Sequence, residues 1–499
     1  MPSANQPKLS SATLPITDDA MLHALGHILP GINALGYQAF LVGGCVRDTL
    51  LQHPVNDVDI ATNCPPDILQ QHFTIGADIA KNMDISVHLL KSGGYSYEVA
   101  QLRGEHNPTH PLQQSVLPSH LDSLPQSLMN DLERRDFTIN ALALAPNIDS
   151  ASTSALASAP AHVSAFNNQG TLLDPFGGQE DITHFVIRAV VDANKRFSED
   201  PLRILRAVRF AVQYGFTIEK DTAETMQAQA DKLRLTAPER IQQELEKLSR
   251  LGGPALSQAI RFMFERGVLG VILPEIADLN DFQHAPEHHP EGNALVHTLA
   301  CLKACDASSP EVLFAILCHD LGKAKTFTVK NGKPSYPSHD KAALPIIEGM
   351  AQRLRWSNNL LAHVLFTAEH HMRFHAIPVM APHKTFALME SPYFATLYTT
   401  ALCDAKARES VFDSVAWNAI EERLHLLRSM FMGENSPLLF LEGKRVMNIT
   451  GLKSGPLLGE VIAKAKIWML DNTILDEQSI DQRLKQLAKS MEGEKKKAD

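Results

Sequence analysis

Apolar residues recur every three to four positions over residues 20–35, the spacing of an amphipathic helix. A short apolar run at 37–42 predicts a strand, which Gly43-Gly44 breaks, and helical character resumes at 45–51. Residues 57–61 read as a second strand with acidic residues at alternate positions. Two more strands, 85–90 and 95–102, flank Ser92-Gly93-Gly94 as a hairpin. Residues 106–125, rich in Pro, His, Ser and Gln, read as a surface loop, and the Ala/Ser-rich residues 147–170 as an elongated loop inside one domain. From Asp200 onward the pattern is almost wholly helical, punctuated at Gly252-Gly253-Pro254 and at residues 286–290. The Lys/Glu-rich tail after Met491 reads as frayed.

Composition narrows the picture. A chain of 499 residues exceeds one hydrophobic core and implies two to four domains. With 44% apolar and 20% charged residues it is globular. No stretch approaches the roughly 18 apolar residues of a membrane helix. The polar first residues do not resemble a secretory signal. The six cysteines form no Cys-x-x-Cys pair, so neither a disulfide framework nor a zinc ribbon is indicated, and reduced thiols in the cytoplasm are expected. A net charge of −10 disfavours non-specific nucleic-acid binding, so an RNA partner would have to be held by local basic patches and read for shape. Many of the 22 histidines fall between His284 and His375.

The first chemistry-bearing constellation is strand, glycine turn, helix: Phe40-Leu41-Val42-Gly43-Gly44-Cys45-Val46-Arg47-Asp48. Gly43 and Gly44 would let backbone N–H groups approach an anion at a helix N-terminus, and Arg47 would add a fork of donors. The same sequence also serves as a mere tight turn. Asp57 and Asp59 follow as i, i+2 on a strand and so share a face. They form either a solvated strand edge or a pair clamping Mg²⁺. Glu98, on the next strand, is either a third carboxylate of that site or an exposed strand glutamate.

These residues resemble the head domain of class II tRNA nucleotidyltransferases and bacterial poly(A) polymerases. The resemblance runs on through Arg134-Arg135-Asp136-Phe137-Thr138-Ile139-Asn140-Ala141, Asp174-Pro175-Phe176-Gly177-Gly178 and residues 199–210, in the family's order. It implies nucleotidyl transfer at Mg²⁺ held by Asp57 and Asp59, with Arg135 a nucleotide or triphosphate ligand oriented by Asp136. Arg134 would serve in either of those two roles.

Asp200 and Arg203 lie one helical turn apart. Asp before Pro is also what a helix cap looks like. The resemblance makes this pair the protein template for the incoming base: a carboxylate accepts from the exocyclic amine of cytosine or adenine, and a guanidinium donates to ring acceptors. Uracil or guanine would leave polar groups unpaired, at about 1–3 kcal/mol per lost partner. Arg206 would still reach the triphosphate. Arg209, rotated further around the helix, is either a further nucleotide ligand or a structural residue.

In the helical half, His297, His319-Asp320-Leu321-Gly322-Lys323, His339, His370-His371 and Asp404 resemble the HD phosphohydrolase superfamily. That implies a divalent ion on His297, His319, Asp320 and Asp404, with His339 and His371 as ligands of a second. Imidazole plus carboxylate suits Mn, Fe, Ni or Mg. Residues 287–292 match the approach to His297 in CCA-adding enzymes that carry such a domain.

The expected architecture is an α/β nucleotidyltransferase palm with a mixed sheet, followed by an all-α neck and an all-α HD domain. The expected boundaries are a flexible N-terminus at 1–18, the head at 19–190, the neck at 191–275, the HD domain at 276–409 and a helical tail at 410–499. The expected function is addition of CCA to tRNA from CTP and ATP, with no DNA or membrane partner. Poly(A) tailing, or addition of only CC or only A, is the neighbouring alternative. A metal-dependent phosphohydrolase with an RNA-binding head is the alternative of a different class.

Overall fold

Four consecutive buried residues, Ala39–Val42, form the strand on which the first half of the chain is built. Burial of both faces is why this run lacks polar alternation. The computed structural model describes residues 10–82, 85–102, 125–148, 166–281, 293–330, 332–408, 412–434, 436–472 and 476–498. They divide into two units: residues 1–237 with 265–271, and residues 238–264 with 272–499. This is a coarser partition than head, neck, HD region and tail.

The first unit holds an eight-stranded sheet. Its strands are β1 (Ser10–Pro15), β2 (Ala39–Val42), β3 (Asp59–Thr62), β4 (Thr74–Asn82), β5 (Ile85–Ser92), β6 (Tyr95–Gln101), β7 (Ala143–Ile148) and β8 (Phe166–Asp174). Their spatial order is β1-β8-β7-β2-β3-β6-β5-β4. β3 and β6 run parallel and the other neighbours antiparallel, so the sheet is mixed, as expected. Phe40, Val42, Ala61, Leu128, Leu132 and Leu173 gather in one core cluster beside it.

Three elements depart from the sequence reading. Residues 10–15, expected loose, pair with β8 from Ser10↔Asp174 to Pro15↔Gln169. Backbone hydrogen bonding at an open sheet edge orders this segment, and no apolar pattern announces such bonding. β7 and β8 enter the Ala/Ser-rich stretch from both sides, reaching Ile148 and starting at Phe166. The helix expected over 20–35 contains a wide π turn, Ala24–Ile28, in which the Leu29 N–H bonds the Ala24 carbonyl. It falls just before Pro30, which has no N–H to continue a regular ladder. The expected loop at 106–125, apart from Pro125, lies outside the described residues, as do residues 287–292.

Helices of this unit that bear on the site are α1 (Gly44–Leu50), α2 (Gln126–Glu133), α3 (Ala193–Glu199) and α4 (Arg203–Tyr214). At the Asp174-Pro175-Phe176-Gly177-Gly178 motif, the Asp174 carboxylate accepts from the N–H groups of Gly178 and Gln179 at 2.8 Å and caps the next helix.

The second unit is helical apart from a short hairpin, Thr328–Lys330 with Lys333–Ser335, among the described residues. Its helices include α5 (Ala294–Lys303), α6 (Pro310–Cys318), α7 (His339–Leu354), α8 (Asn358–Phe374), α9 (Phe394–Arg408), α10 (Ser414–Phe431), α11 (Pro456–Asp471) and α12 (Glu477–Ala498). Trp417, Ile420 and Leu424 of α10 share one core with Phe374, Phe386 and Leu397, so that core spans position 409. A further core joins Val461 and Met469 of α11 to Ile480 and Leu484 of α12. α12 continues to Ala498, past the point where fraying was expected. Among the described residues no helix is long and apolar enough to cross a membrane.

Gly322 shows what the His-Asp-Leu-Gly-Lys motif requires of its glycine. Its backbone is ordinary right-handed helical, φ −67°. A Cβ there would strike the His339 carbonyl and approach the Ala343 nitrogen at 2.7 Å. The glycine is therefore there for close approach, which brings the start of α7 against the motif. Gly322→Ala is expected to destabilise the second unit by about 1–3 kcal/mol, the usual cost of overpacking, as measured by denaturant unfolding. Unchanged stability would show that the contact yields.

Candidate active site

Gly43 follows β2 with φ 78°, a left-handed conformation suited to glycine, and α1 starts at Gly44. The space a Cβ would fill at Gly43 is taken by the Arg135 guanidinium, with an Asp59 carboxylate oxygen 3.7 Å from that position. One turn thus brings together the glycine, the arginine and the first carboxylate.

Asp59 opens β3 and pairs in register with Glu98 of β6. Asp57 lies just before the strand and is exposed, as is Glu98, while Asp59 is half-buried. Burial pushes the Asp59 carboxyl up to about 6; Glu98 and Asp57 push the same way, while Arg135 and Arg47 oppose them. Asp59 is thus repelled by two neighbouring carboxylates, a repulsion that a divalent ion would relieve.

Arg135 is positioned by Asp131, whose carboxylate accepts from Nε at 3.2 Å and Nη2 at 3.1 Å, and by the Asn140 carbonyl at 3.3 Å. Asp136, expected to orient Arg135, instead binds Arg206 at 2.7 Å and accepts from Asn140 Nδ2 at 2.9 Å. The reason is directional: Asp136 is buried and points away from its neighbour toward α4. Burial alone would raise its pKa, but Arg206, Asn140 and the Phe137 N–H hold it below the ordinary carboxylate range.

Arg47, expected to reach a phosphate, is buried and engaged elsewhere. Its guanidinium forks onto Asp48 at 2.9 Å, donates to Asn140 Oδ1, and lies over the rings of Phe210 and Tyr214 at 5.2 and 4.9 Å. Tyr214 in turn donates to Asp48 at 3.1 Å. Arg47 is thus a structural lock between α1 and α4.

Just ahead of α4, Asp200 accepts the Leu202 N–H at 3.2 Å, an Asx-type turn that leads into the helix without capping its first turn. Arg203 donates to the carbonyls of Arg196 and Arg134 at 3.1 and 2.7 Å and to Glu199 at 3.2 Å. Arg196, fully buried, bonds the Glu133 carbonyl and Glu199 beneath it. Arg209 bonds Gln213 at 3.1 Å and stacks on Phe210 at 4.2 Å.

In the second unit, His319 and Asp320 stand at the end of α6, His297 lies on α5, His339 opens α7, His371 lies on α8 and Asp404 on α9; all six are buried. Backbone carbonyls of Ile316, Tyr336 and Ala368 face Nδ1 of His319, His339 and His371 at 2.7, 2.9 and 2.8 Å. A carbonyl only accepts, so each Nδ1 carries a hydrogen and each neutral ring turns the Nε2 lone pair inward. His339 and His371 meet Nε2 to Nε2 at 3.1 Å. Burial pushes His371 down to about 3, whereas Asp320 overcomes burial at His339 and raises it.

Asp320 faces both ways: Oδ2 is 3.3 Å from His319 and 3.9 Å from His297, and Oδ1 is 3.4 Å from His339 and 3.8 Å from His371. His297 bonds Asp404 at 3.0 Å. Donor atoms of His297, Cys301, His319 and Asp404 lie within 4.8 Å of one another, as do those of Asp320, His339 and His371. These are two adjoining donor sets able to hold divalent ions.

Comparison with known proteins bears on both units. Residues 39–188 match the poly A polymerase head domain, and residues 215–279 match the "probable RNA and SrmB-binding site of polymerase A". The chain is 31% identical to a multifunctional CCA protein of Acinetobacter baumannii over 412 residues, 79% of this chain and 90% of the relative. The chain belongs to the class II CCA-adding enzyme family. A CCA-adding enzyme of Geobacillus thermodenitrificans is 35% identical over 312 residues, 62% of this chain and 64% of that protein's length. Among solved structures, Bacillus stearothermophilus CCA-adding enzyme in complex with CTP has a TM-score of 0.61 at 24% identity, covering 96% of this chain and 100% of its own. Thermotoga maritima CCA-adding enzyme complexed with tRNA_CCA has a TM-score of 0.58 at 19% identity, covering 95% and 98%. At those identities the two structures attest the fold. As a family member the chain is a nucleotidyltransferase, and the family implies a divalent metal.

Several residues of the site had no assigned role in the sequence reading: Asp131, Asn140, Asp48 and Arg196 in the first unit, and Cys301, Lys323, His375 and Arg408 in the second. Lys323 bonds Asp320 at 2.6 Å, and His375 and Arg408 bond Asp404. Most of these bonds are local and so legible as helical neighbours: Lys323 is three residues from Asp320, Arg408 four from Asp404, Asp131 four from Arg135, and Cys301 four from His297. His375 instead reaches Asp404 from 29 residues away, which leaves no local signal.

Asp136→Ala removes an acceptor from both Arg206 and Asn140 and is expected to cost about 1–3 kcal/mol in urea unfolding at neutral pH. Because the folded pKa is depressed, this stabilisation is present above the ordinary carboxylate range and is lost as pH falls below it. The difference between wild type and variant should therefore shrink in acid.

Proposed function

We propose that this chain completes the 3′ end of tRNA by adding C, C and A from CTP and ATP without a nucleic-acid template. The observation that carries the reading is the Arg134-Arg135 dipeptide. The Arg134 carbonyl holds Arg203 at the start of α4, while the next side chain lies on Gly43 beside Asp59. The base-reading end of α4 and the carboxylate cluster are thereby joined through one peptide.

Asp57 and Asp59, with Glu98, would hold Mg²⁺, which activates the attacking 3′-hydroxyl and neutralises the pyrophosphate leaving group. Arg135 and the first N–H groups of α1 bind triphosphate oxygens. Asp200 accepts from the exocyclic amine of cytosine or adenine, and Arg203 donates to the ring acceptors. Its three protein acceptors fix Arg203 before the nucleotide arrives, so little ordering is left to binding. Arg206 supports this surface through Asp136.

The second unit is a metal-dependent phosphohydrolase of HD type, in keeping with 2′,3′-cyclic phosphodiester or phosphomonoester hydrolysis. Asp320 bridges the two donor sets, which suits a two-ion hydrolytic centre.

Two experiments test these assignments. End-trimmed tRNA should take up two C residues from CTP alone, one A only after CTP, and no run of A. Repeated A addition would make the protein a poly(A) polymerase. Asp57→Ala should abolish tailing and spare phosphodiester hydrolysis, and Asp320→Ala the reverse. Tailing that survives Asp57→Ala would remove the site assignment.

A separate measurement addresses the carboxylates. With a folded pKa raised to about 6, Asp59 binds its proton more tightly folded than unfolded, so in metal-free protein its contribution falls as pH rises from about 4 to about 6. Mg²⁺ should reverse this, raising Tm more at pH 7.5 than at pH 5 in thermal unfolding. An equal shift at both pH values would exclude Asp59 as ligand.

A further inference from the structure

The donor set around His297 includes a side chain that the HD resemblance does not supply. Cys301 follows His297 by one turn of α5, so the two share a face. Its Sγ lies 3.4 Å from His297 Nε2, the same nitrogen that bonds Asp404. The sulfur is 1% exposed and falls within 4.8 Å of the donor atoms of His297, His319 and Asp404.

A buried cysteine often only fills space. An independent observation at His319 points to a ligand instead. Its Nδ1 is occupied by the Ile316 carbonyl, and its Nε2, in a ring that is 1% exposed, makes no hydrogen bond. A buried imidazole nitrogen that faces the Asp320 Oδ2 at 3.3 Å and other donors, yet makes no hydrogen bond, points to a cation between them.

We propose that Cys301 is a thiolate ligand of the ion held by His297, His319 and Asp404. The inference rests on reading this cluster as a metal centre. As the metal–sulfur bond forms, the S–H proton is released to solvent, leaving the sulfur with the electron pair it donates. The chemical consequence is selectivity. A set of two imidazoles, one carboxylate and one thiolate favours zinc, cobalt or nickel over magnesium or manganese. The adjoining set, Asp320, His339 and His371, contains no sulfur and keeps a harder preference. The two positions are thereby made unequal by one side chain.

The test uses full-length protein stripped by chelator and titrated with Co²⁺. Wild type should develop visible d–d bands together with a near-ultraviolet thiolate-to-cobalt charge-transfer band. Cys301→Ala should keep the d–d bands, lose the charge-transfer band and bind Co²⁺ on the order of 10–100-fold more weakly. X-ray absorption of wild type loaded with one equivalent of Zn²⁺ should show one sulfur at about 2.3 Å, and this decides the matter even if the variant misfolds. Visible bands with no sulfur signal in wild type, or a charge-transfer band that persists in Cys301→Ala, would overturn the cysteine ligand while leaving the metal centre intact. No Co²⁺ uptake by wild type would overturn the metal centre and this inference together.

Discussion

A relay of guanidinium, carboxylate, amide and phenol groups, buried at its centre, ties α4 of the first unit to the helix that follows the glycine turn. It runs from Arg206 to Asp136, Asn140, Arg47, Asp48 and Tyr214. Two of its members, Arg206 and Tyr214, belong to α4, and Arg47 and Asp48 to α1. The relay leaves α4 and the glycine turn little freedom to move independently. Removing any one group would strand its neighbours away from water, so the chain is fixed by mutual dependence rather than by any single strong bond.

The same reasoning explains why so much arginine is structural here. Arg47, Arg196 and Arg206 each have firm protein acceptors, and they brace α1, α3 and α4. The guanidinium fork suits this, since it keeps its charge when buried and offers several donors in one plane. Electrostatics in the second unit follow the opposite plan. There the carbonyls behind three histidines hold Nδ1 and turn Nε2 inward, toward Asp320 and one another.

The readable part of this protein was the part with short-range signals. Gly43 sits at one turn, Asp57 and Asp59 lie at the start of one strand and just before it, and the His-Asp-Leu-Gly-Lys motif is contiguous, so spacing and chemistry exposed them together. Glu98 was expected on the neighbouring strand and lies there, opposite Asp59, through the parallel pairing of β3 with β6. The packing of Arg47 was not foreseen, because its partners Asn140, Phe210 and Tyr214 arrive from far along the chain and no periodicity encodes them. Asp136 was assigned to its neighbour in sequence when its partner in space is Arg206. β1 was invisible for a different reason: its order comes from backbone pairing at an edge, to which side-chain pattern contributes little.

The ring stack of Phe374 on Trp417, with centroids 5.9 Å apart, has a consequence for how the C-terminal third of the chain can change. Phe374 lies one turn beyond His371 on α8, and Trp417 belongs to α10. The region after residue 412 therefore braces the helix that carries His371. Drift, trimming or exchange of that region would be felt first as misalignment of a histidine, long before the helices themselves came apart.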